Sequence, residues 1–197
     1  MNWSKASALI MVTLLSGITL LTMHSCNKKT SPAGHTLYDS IGGSFLVPDP
    51  ADSGQTVQQG WLGIRTIVDT AINIMLVDTF PIPGDTLRTM SGFFAVLTTE
   101  LSTGDSVGYK ALTLNLAKYF ATATGCTDTA YLYGGKNMSD AHNPTVNPRM
   151  TGKVDSADFN QFVHDITQSA IEYGLSNQLI SRLGILMYSV EGQVVQP

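Results

Sequence analysis

Beyond residue 36, apolar residues recur at three- and four-residue steps through most of the chain, the spacing that predicts helices with one buried face. Leu37, Tyr38 and Ile41 share a face of a short first helix stopped by Gly42-Gly43. Ile64, Ile67, Val68, Ala71, Ile72 and Met75 predict a half-buried helix running to about Asp78, after which Pro81, Pro83 and Gly84 break the chain. Leu112, Leu116, Tyr119, Phe120 and Ala123 predict another, closing at Gly125. Asn137 or Ser139 can cap a short helix that carries Met138 and His142 four residues apart on one face. Asn143 to Pro148 is too rich in proline to continue it. Asp155 then caps a strong helix bearing Phe159, Phe162, Val163, Ile166 and Ile171 and ended by Gly174. Ser176 starts the last helix, with Leu179, Leu183, Leu186, Met187 and Val190 on one face. Residues 44–60 and 95–108, punctuated by proline and glycine, read as long loops. Strand signals are sparse, so the fold class expected is all-α.

Composition narrows the classes of function. The 197 residues carry a formal charge of −4 with no block or stripe of Lys and Arg, which argues against nucleic acid as a partner. A hydrophobic fraction of 43% is enough for a packed core and excludes wholesale disorder. The two cysteines, Cys26 and Cys126, match no Cys-x-x-Cys pattern.

The N-terminus reads as an address. Lys5 precedes an uncharged apolar run from Ala8 to Met23, short for a membrane span and interrupted by Ser16-Gly17. The run ends in His24-Ser25-Cys26, a small residue directly before cysteine, and resembles a bacterial lipoprotein cleavage site. The division expected is a signal peptide over 1–25, a polar tether over 26–36 and one domain over 37–197. The resemblance implies lipidation at Cys26 and export to the cell envelope, with Asn27 leaning towards the outer membrane. More than one acyl chain is needed for lasting attachment. A plain cleaved signal, an uncleaved anchor and, in an oxidising compartment, a Cys26–Cys126 disulfide remain alternatives.

Candidate chemistry centres on Tyr133-Gly134-Gly135-Lys136-Asn137-Met138-Ser139-Asp140-Ala141-His142. The spacing brings the Met138 carbonyl within reach of Nδ1–H of His142, which would fix the tautomer and leave Nε2 free for a metal. Tyr-x-Gly-x-x-Met-x-x-x-His resembles the proximal haem segment of the group I truncated haemoglobins. The order of features agrees: Leu37-Tyr38 with Gly42-Gly43, an apolar helix, Phe93-Phe94, a helix with Tyr119-Phe120-Ala121, the histidine segment, then two amphipathic helices. The resemblance implies a globin-like two-on-two helical sandwich, with 44–60 and 95–108 as insertions, and haem (iron protoporphyrin) as cofactor. It makes His142 the axial iron ligand and Phe94, Leu116, Tyr119, Met138, Phe159 and Phe162 the haem slot. Lys136 faces a propionate or is simply solvated.

The family's distal aromatic pair is replaced by Ala71 and Ile72, so the distal pocket expected is Ile72, Leu112 and Leu116. None of these donates a hydrogen bond. Dioxygen is then expected to leave quickly, whereas carbon monoxide or nitric oxide bind without that penalty. Tyr119 could turn in as a substitute donor. His24, His35 and His164 are not placed to be a sixth ligand. The function expected is binding of a diatomic gas (oxygen, nitric oxide or carbon monoxide) at the envelope, as ligand binding, sensing or redox chemistry. The alternative is a haem-free globin-fold lipoprotein acting as a binding or envelope-interaction module. Hydrolase signatures such as Gly-x-Ser-x-Gly and His-Glu-x-x-His are missing from the sequence. Asp155 and Asp158 are read as helix-start residues rather than paired acids.

Overall fold

The structure, a computed structural model, describes residues 35–196 apart from the side chains of residues 85–87. The apolar run 8–23, His24, Cys26 and the tether up to residue 34 lie outside the described residues. The described part is mainly α-helical, as the periodicity predicts.

The central helix is α2 (Gln59–Val77), and α5 (Val107–Thr124) and α7 (Ser156–Glu172) both pack along it. The six apolar positions that predict α2 are all buried, Ala71 and Met75 completely. By length and composition α2 could cross a membrane, but its apolar face is covered by α5 and α7, which makes it the domain's core helix. It starts five residues earlier than the apolar pattern indicates. Gly60 and Trp61 belong to it, with Trp61 buried and stacked on Tyr131 at 4.7 Å between ring centroids.

The first helix, α1 (Leu37–Ile41), buries Leu37, Tyr38 and Ile41. Thr36 and Asp39 close a reciprocal capping box at its start. Gly42 and Gly43 have positive φ, 137° and 57°, a region that favours glycine, and they turn the chain off α1. A Cβ on Gly60 would lie 2.9 Å from the backbone nitrogen of Gly43, so this turn and the start of α2 touch backbone to backbone.

Both stretches expected as loops hold regular structure. Within 44–60, β1 (Leu46–Pro48) and β2 (Thr56–Gln58) form an antiparallel hairpin in register Val47 opposite Val57. Within 95–108 lies α4 (Ala95–Ser102), anchored by the buried Leu97. Eight residues with one buried apolar position give too weak a period to be read as a helix. A second hairpin, β3 (Pro81–Ile82) and β4 (Asp85–Thr89), leads into α3 (Met90–Phe93), which Thr89 caps through Gly92 N–H at 3.0 Å.

The later boundaries follow the cap chemistry. Gly125, at φ 102°, ends α5 in the left-handed region. Asn137 caps α6 (Met138–His142), and Asp155 and Asp158 form the capping box of α7. Ser176 caps α8 (Asn177–Tyr188), and a further turn, α9 (Glu191–Val194), follows. Ile171 corrects the expected apolar face of α7: it is 50% exposed, because it lies off the side of the last turn on which Ser169 and Ala170 are buried. Ala123 on α5 is likewise exposed.

Helix α5 has two working faces. Thr113, Ala117, Phe120, Ala121 and Thr124 are buried in the domain core. Leu112, Leu116 and Tyr119 lie on an adjacent face and are only partly buried, because that face borders a cavity.

Candidate functional site

The cavity measures about 510 Å³, within the usual range for small-molecule and cofactor sites. Helices α3, α4 and α5 contribute one part of its wall, α6 with the segments 133–136 and 147–150 another, α7 and residues 187–194 a third, and Ile72 of α2 also lines it. Every described residue proposed from sequence lines it: His142, Phe94, Leu116, Tyr119, Lys136, Met138, Phe159 and Phe162, with the distal set Ile72, Leu112 and Leu116. These residues run from position 72 to position 162 and come from five helices or their flanking turns. Their convergence on one hollow belongs to the fold.

His142 sits at the end of α6, a five-residue helix started by Asn137, whose side-chain oxygen accepts from Asp140 N–H at 2.8 Å. Nδ1 of His142 lies 2.8 Å from the carbonyl oxygen of Met138, so Nδ1–H donates and the ring is fixed in the Nε2-lone-pair tautomer. Nε2 has no protein hydrogen-bond partner among the described residues. Burial lowers the imidazole's pKa below its ordinary 6.5, against the smaller opposing effect of the Met138 carbonyl, so the ring is neutral at pH 7. A neutral imidazole with one nitrogen oriented and the other uncommitted is the form that ligates a metal. Among the described residues no group of three or more His, Cys, Asp or Glu side chains gathers to hold a metal ion.

The apolar wall is aromatic-rich. Phe93 and Phe94 meet edge to face at 6.1 Å, and Tyr119 does the same with Phe120 at 5.9 Å and Tyr133 at 5.7 Å. Tyr133 donates its hydroxyl to the carbonyl of Lys136 at 2.7 Å, holding the loop that leads into α6. The Tyr119 hydroxyl makes no protein hydrogen bond among the described residues, and burial, with Tyr133 nearby, raises its pKa so that it remains a neutral phenol. Ile72, Leu112 and Leu116 present no donor, as expected from sequence. The two other described histidines are elsewhere: His35 is on the surface beside Asp39, and His164 is exposed beside Asp165.

Several lining residues lie beyond those proposed for the site from the sequence. Met90, Phe93, Met150 and Val154 complete the apolar wall, and Asn115 and Arg149 add polar edges. Arg149 forms a two-point ion pair with Glu100 of α4 at 2.8 and 2.7 Å, and the pair keeps the Glu100 carboxyl below its ordinary pKa. Arg88 ties the start of α7 to the β4–α3 region: it contacts Asp158 at 2.8 Å and Asp155 at 3.2 Å, and lies 5.3 Å over the Phe93 ring. Asp158, which lines the cavity, is thus committed to a cap and an ion pair, in keeping with its reading as a helix-start residue. No sequence signal marked Arg149 or Asn115; the partner of Arg149 lies 49 positions away.

The fold and site together define a mainly helical domain built around one apolar, histidine-bearing cavity. Comparison with protein-family models gives no match, and comparison with curated proteins gives none either.

Proposed function

We propose that the cavity holds haem and that His142 is its axial ligand, in a globin-like domain whose role is to bind a diatomic gas (oxygen, nitric oxide or carbon monoxide). The observation that carries this reading is the neutral, carbonyl-oriented imidazole of His142 opening into an apolar cavity of about 510 Å³. The donor set fits the group: one oriented nitrogen for iron, aromatic and aliphatic walls for the porphyrin, and a lysine for a propionate. Haem would supply an iron centre able to take a diatomic ligand.

The chain's own residues have separable tasks. Met138 orients His142 through its carbonyl, and its side chain helps close the wall beneath the ring. Phe94, Leu116, Phe159 and Phe162 exclude water from the slot, and Lys136 meets a negative charge at its exposed edge. Ile72, Leu112 and Leu116 leave the gas side without a hydrogen-bond donor, which favours carbon monoxide and nitric oxide over lasting hold of dioxygen.

The deciding experiment is expression of the domain with haem. A Soret band that is lost or strongly shifted in His142→Ala supports the reading, and a band unaffected by that change, or no band at all, overturns it. We further infer from the apolar run 8–23 and Ser25-Cys26 that the domain works at the cell envelope on a lipid anchor at Cys26. Incorporation of labelled fatty acid that Cys26→Ser abolishes tests that part separately.

A further inference from the structure

Only eleven Lys and Arg residues occur in the chain, yet two of them, Lys136 and Arg149, line the same apolar cavity. They stand on the two segments that flank α6. Lys136 Nζ reaches the carbonyl of Val146 at 3.4 Å, and Arg149 follows three residues later in the same turn-rich segment, its backbone N–H donating to Asn147 at 3.2 Å. Both side chains reach solvent, so the two charges stand at the open edge of a hollow whose interior is apolar.

Arg149 is also held in place. Glu100 grips its guanidinium at two nitrogens. The pair lies against the first turn of α5 at Gly108, where a Cβ would press on the ends of both the Glu100 and Arg149 side chains. Two of the five N–H donors are engaged by Glu100, and the others remain for a second acceptor. A planar cation fixed by a carboxylate on one side and bordering an apolar hollow on the other is suited to a second carboxylate.

We propose that Lys136 and Arg149 form a carboxylate anchor at the edge of the cavity, so that the ligand is an apolar molecule carrying one or more carboxylates. The inference rests on reading the cavity as a ligand site and specifies the chemistry of what enters: an apolar body inside and a carboxylate outside. Two sources share that chemistry, the propionates of haem and the head of a long-chain fatty acid. Glu100 is a positioning residue in this arrangement.

The test compares acids with their esters. Haem and haem dimethyl ester are titrated by absorbance, and cis-parinaric acid and its methyl ester by fluorescence, into the wild-type protein and Lys136→Met/Arg149→Met. In the wild type the free acid binds about tenfold or more tightly than its ester, as a charge-assisted hydrogen bond implies, and the preference weakens with salt. In the double variant the preference disappears because the acid weakens while the ester is unchanged. Since the esters report on the intact cavity, a variant that failed to fold would lose both.

Parinaric acid bound with that preference, in a protein that takes up no haem, supports the anchor and removes the haem reading. Haem bound with no preference over its dimethyl ester in the wild type, or with a preference that survives in the double variant, overturns the anchor and leaves the haem reading standing. Failure of every probe to bind overturns both.

Discussion

The imidazole of His142 and the backbone carbonyl of Met138 are joined across one turn of α6 at 2.8 Å. A five-residue helix is too short to be stable alone. Its cap at Asn137 and this hydrogen bond hold it, and together they also set the direction of the imidazole at the cavity. The geometry is local, because positions i and i+4 face each other on any helix.

That arrangement makes the site acid-sensitive. The pKa of His142 is lowered by burial, so below pH 6.5 the unfolded chain binds the proton more readily than the folded one. Stability contributed by the neutral ring is therefore complete above 6.5 and declines as pH falls through the lowered value. Urea unfolding of wild type and His142→Asn between pH 8 and 5 should show the wild type losing more stability towards the acid end. A parallel pH profile for the two proteins would contradict the assignment.

On the side proposed to receive the gas, Leu116 lines the cavity from α5, as do the apolar Ile72 and Leu112. Leu116→Gln introduces a donor there. For the haem-loaded protein we expect dioxygen dissociation to slow by about tenfold, the equivalent of roughly 1.4 kcal/mol for one hydrogen bond, with a much smaller effect on carbon monoxide. Stopped-flow release measurements would show it. An unchanged dioxygen rate would mean that position 116 does not face the ligand.

Two glycines in helices give opposite expectations. Gly184, in α8, has open space where a Cβ would stand, so Gly184→Ala should stabilise the domain by about 0.5–1 kcal/mol through helix propensity. Gly60, in α2, meets the backbone of Gly43 and the ring of Tyr38 at 2.9 Å, and neither can move freely. Gly60→Ala should cost about 1–3 kcal/mol despite the same gain in propensity. Thermal melts of the two variants should shift in opposite directions.

Asp165, 2% exposed on α7, accepts from Gln161 at 3.0 Å and His164 at 3.3 Å through Oδ1, while Oδ2 has no protein partner among the described residues. Burial raises its pKa above the ordinary 3.8. The folded state therefore favours the protonated form, and stability falls as pH rises from about 4 through the raised value. Asp165→Asn removes the buried charge and should stabilise the protein by about 1 kcal/mol at pH 7, with the advantage vanishing near pH 4. Denaturation curves at the two pH values would reveal it; an equal difference at both would mean that the carboxyl does not titrate in between.

The elements that could be read from sequence are those specified by neighbouring residues. The face of α2, the glycine stops at Gly42-Gly43 and Gly125, the capping box at Asp155 and the Met138–His142 pair all depend on contacts within a turn or two, and the structure contains each of them. Helix α4 and the β1–β2 hairpin were not legible, because one buried leucine and two three-residue strands leave almost no period. Periodicity also merged the two faces of α5. An apolar residue beside a cavity and one in the core look the same along the chain.

What this chain determined by itself is a set of helices, their ends and the orientation of one imidazole, since hydrogen bonds and sterics between close neighbours suffice for those. Only the tertiary structure decided that Phe94, Tyr119, His142 and Phe162 enclose one hollow, and that Arg149, clasped by a glutamate 49 residues away, stands at its edge. Long-range packing places such residues. A side chain's distance from a partner on another helix is set by how α2, α5 and α7 pack together, and local spacing carries no record of that.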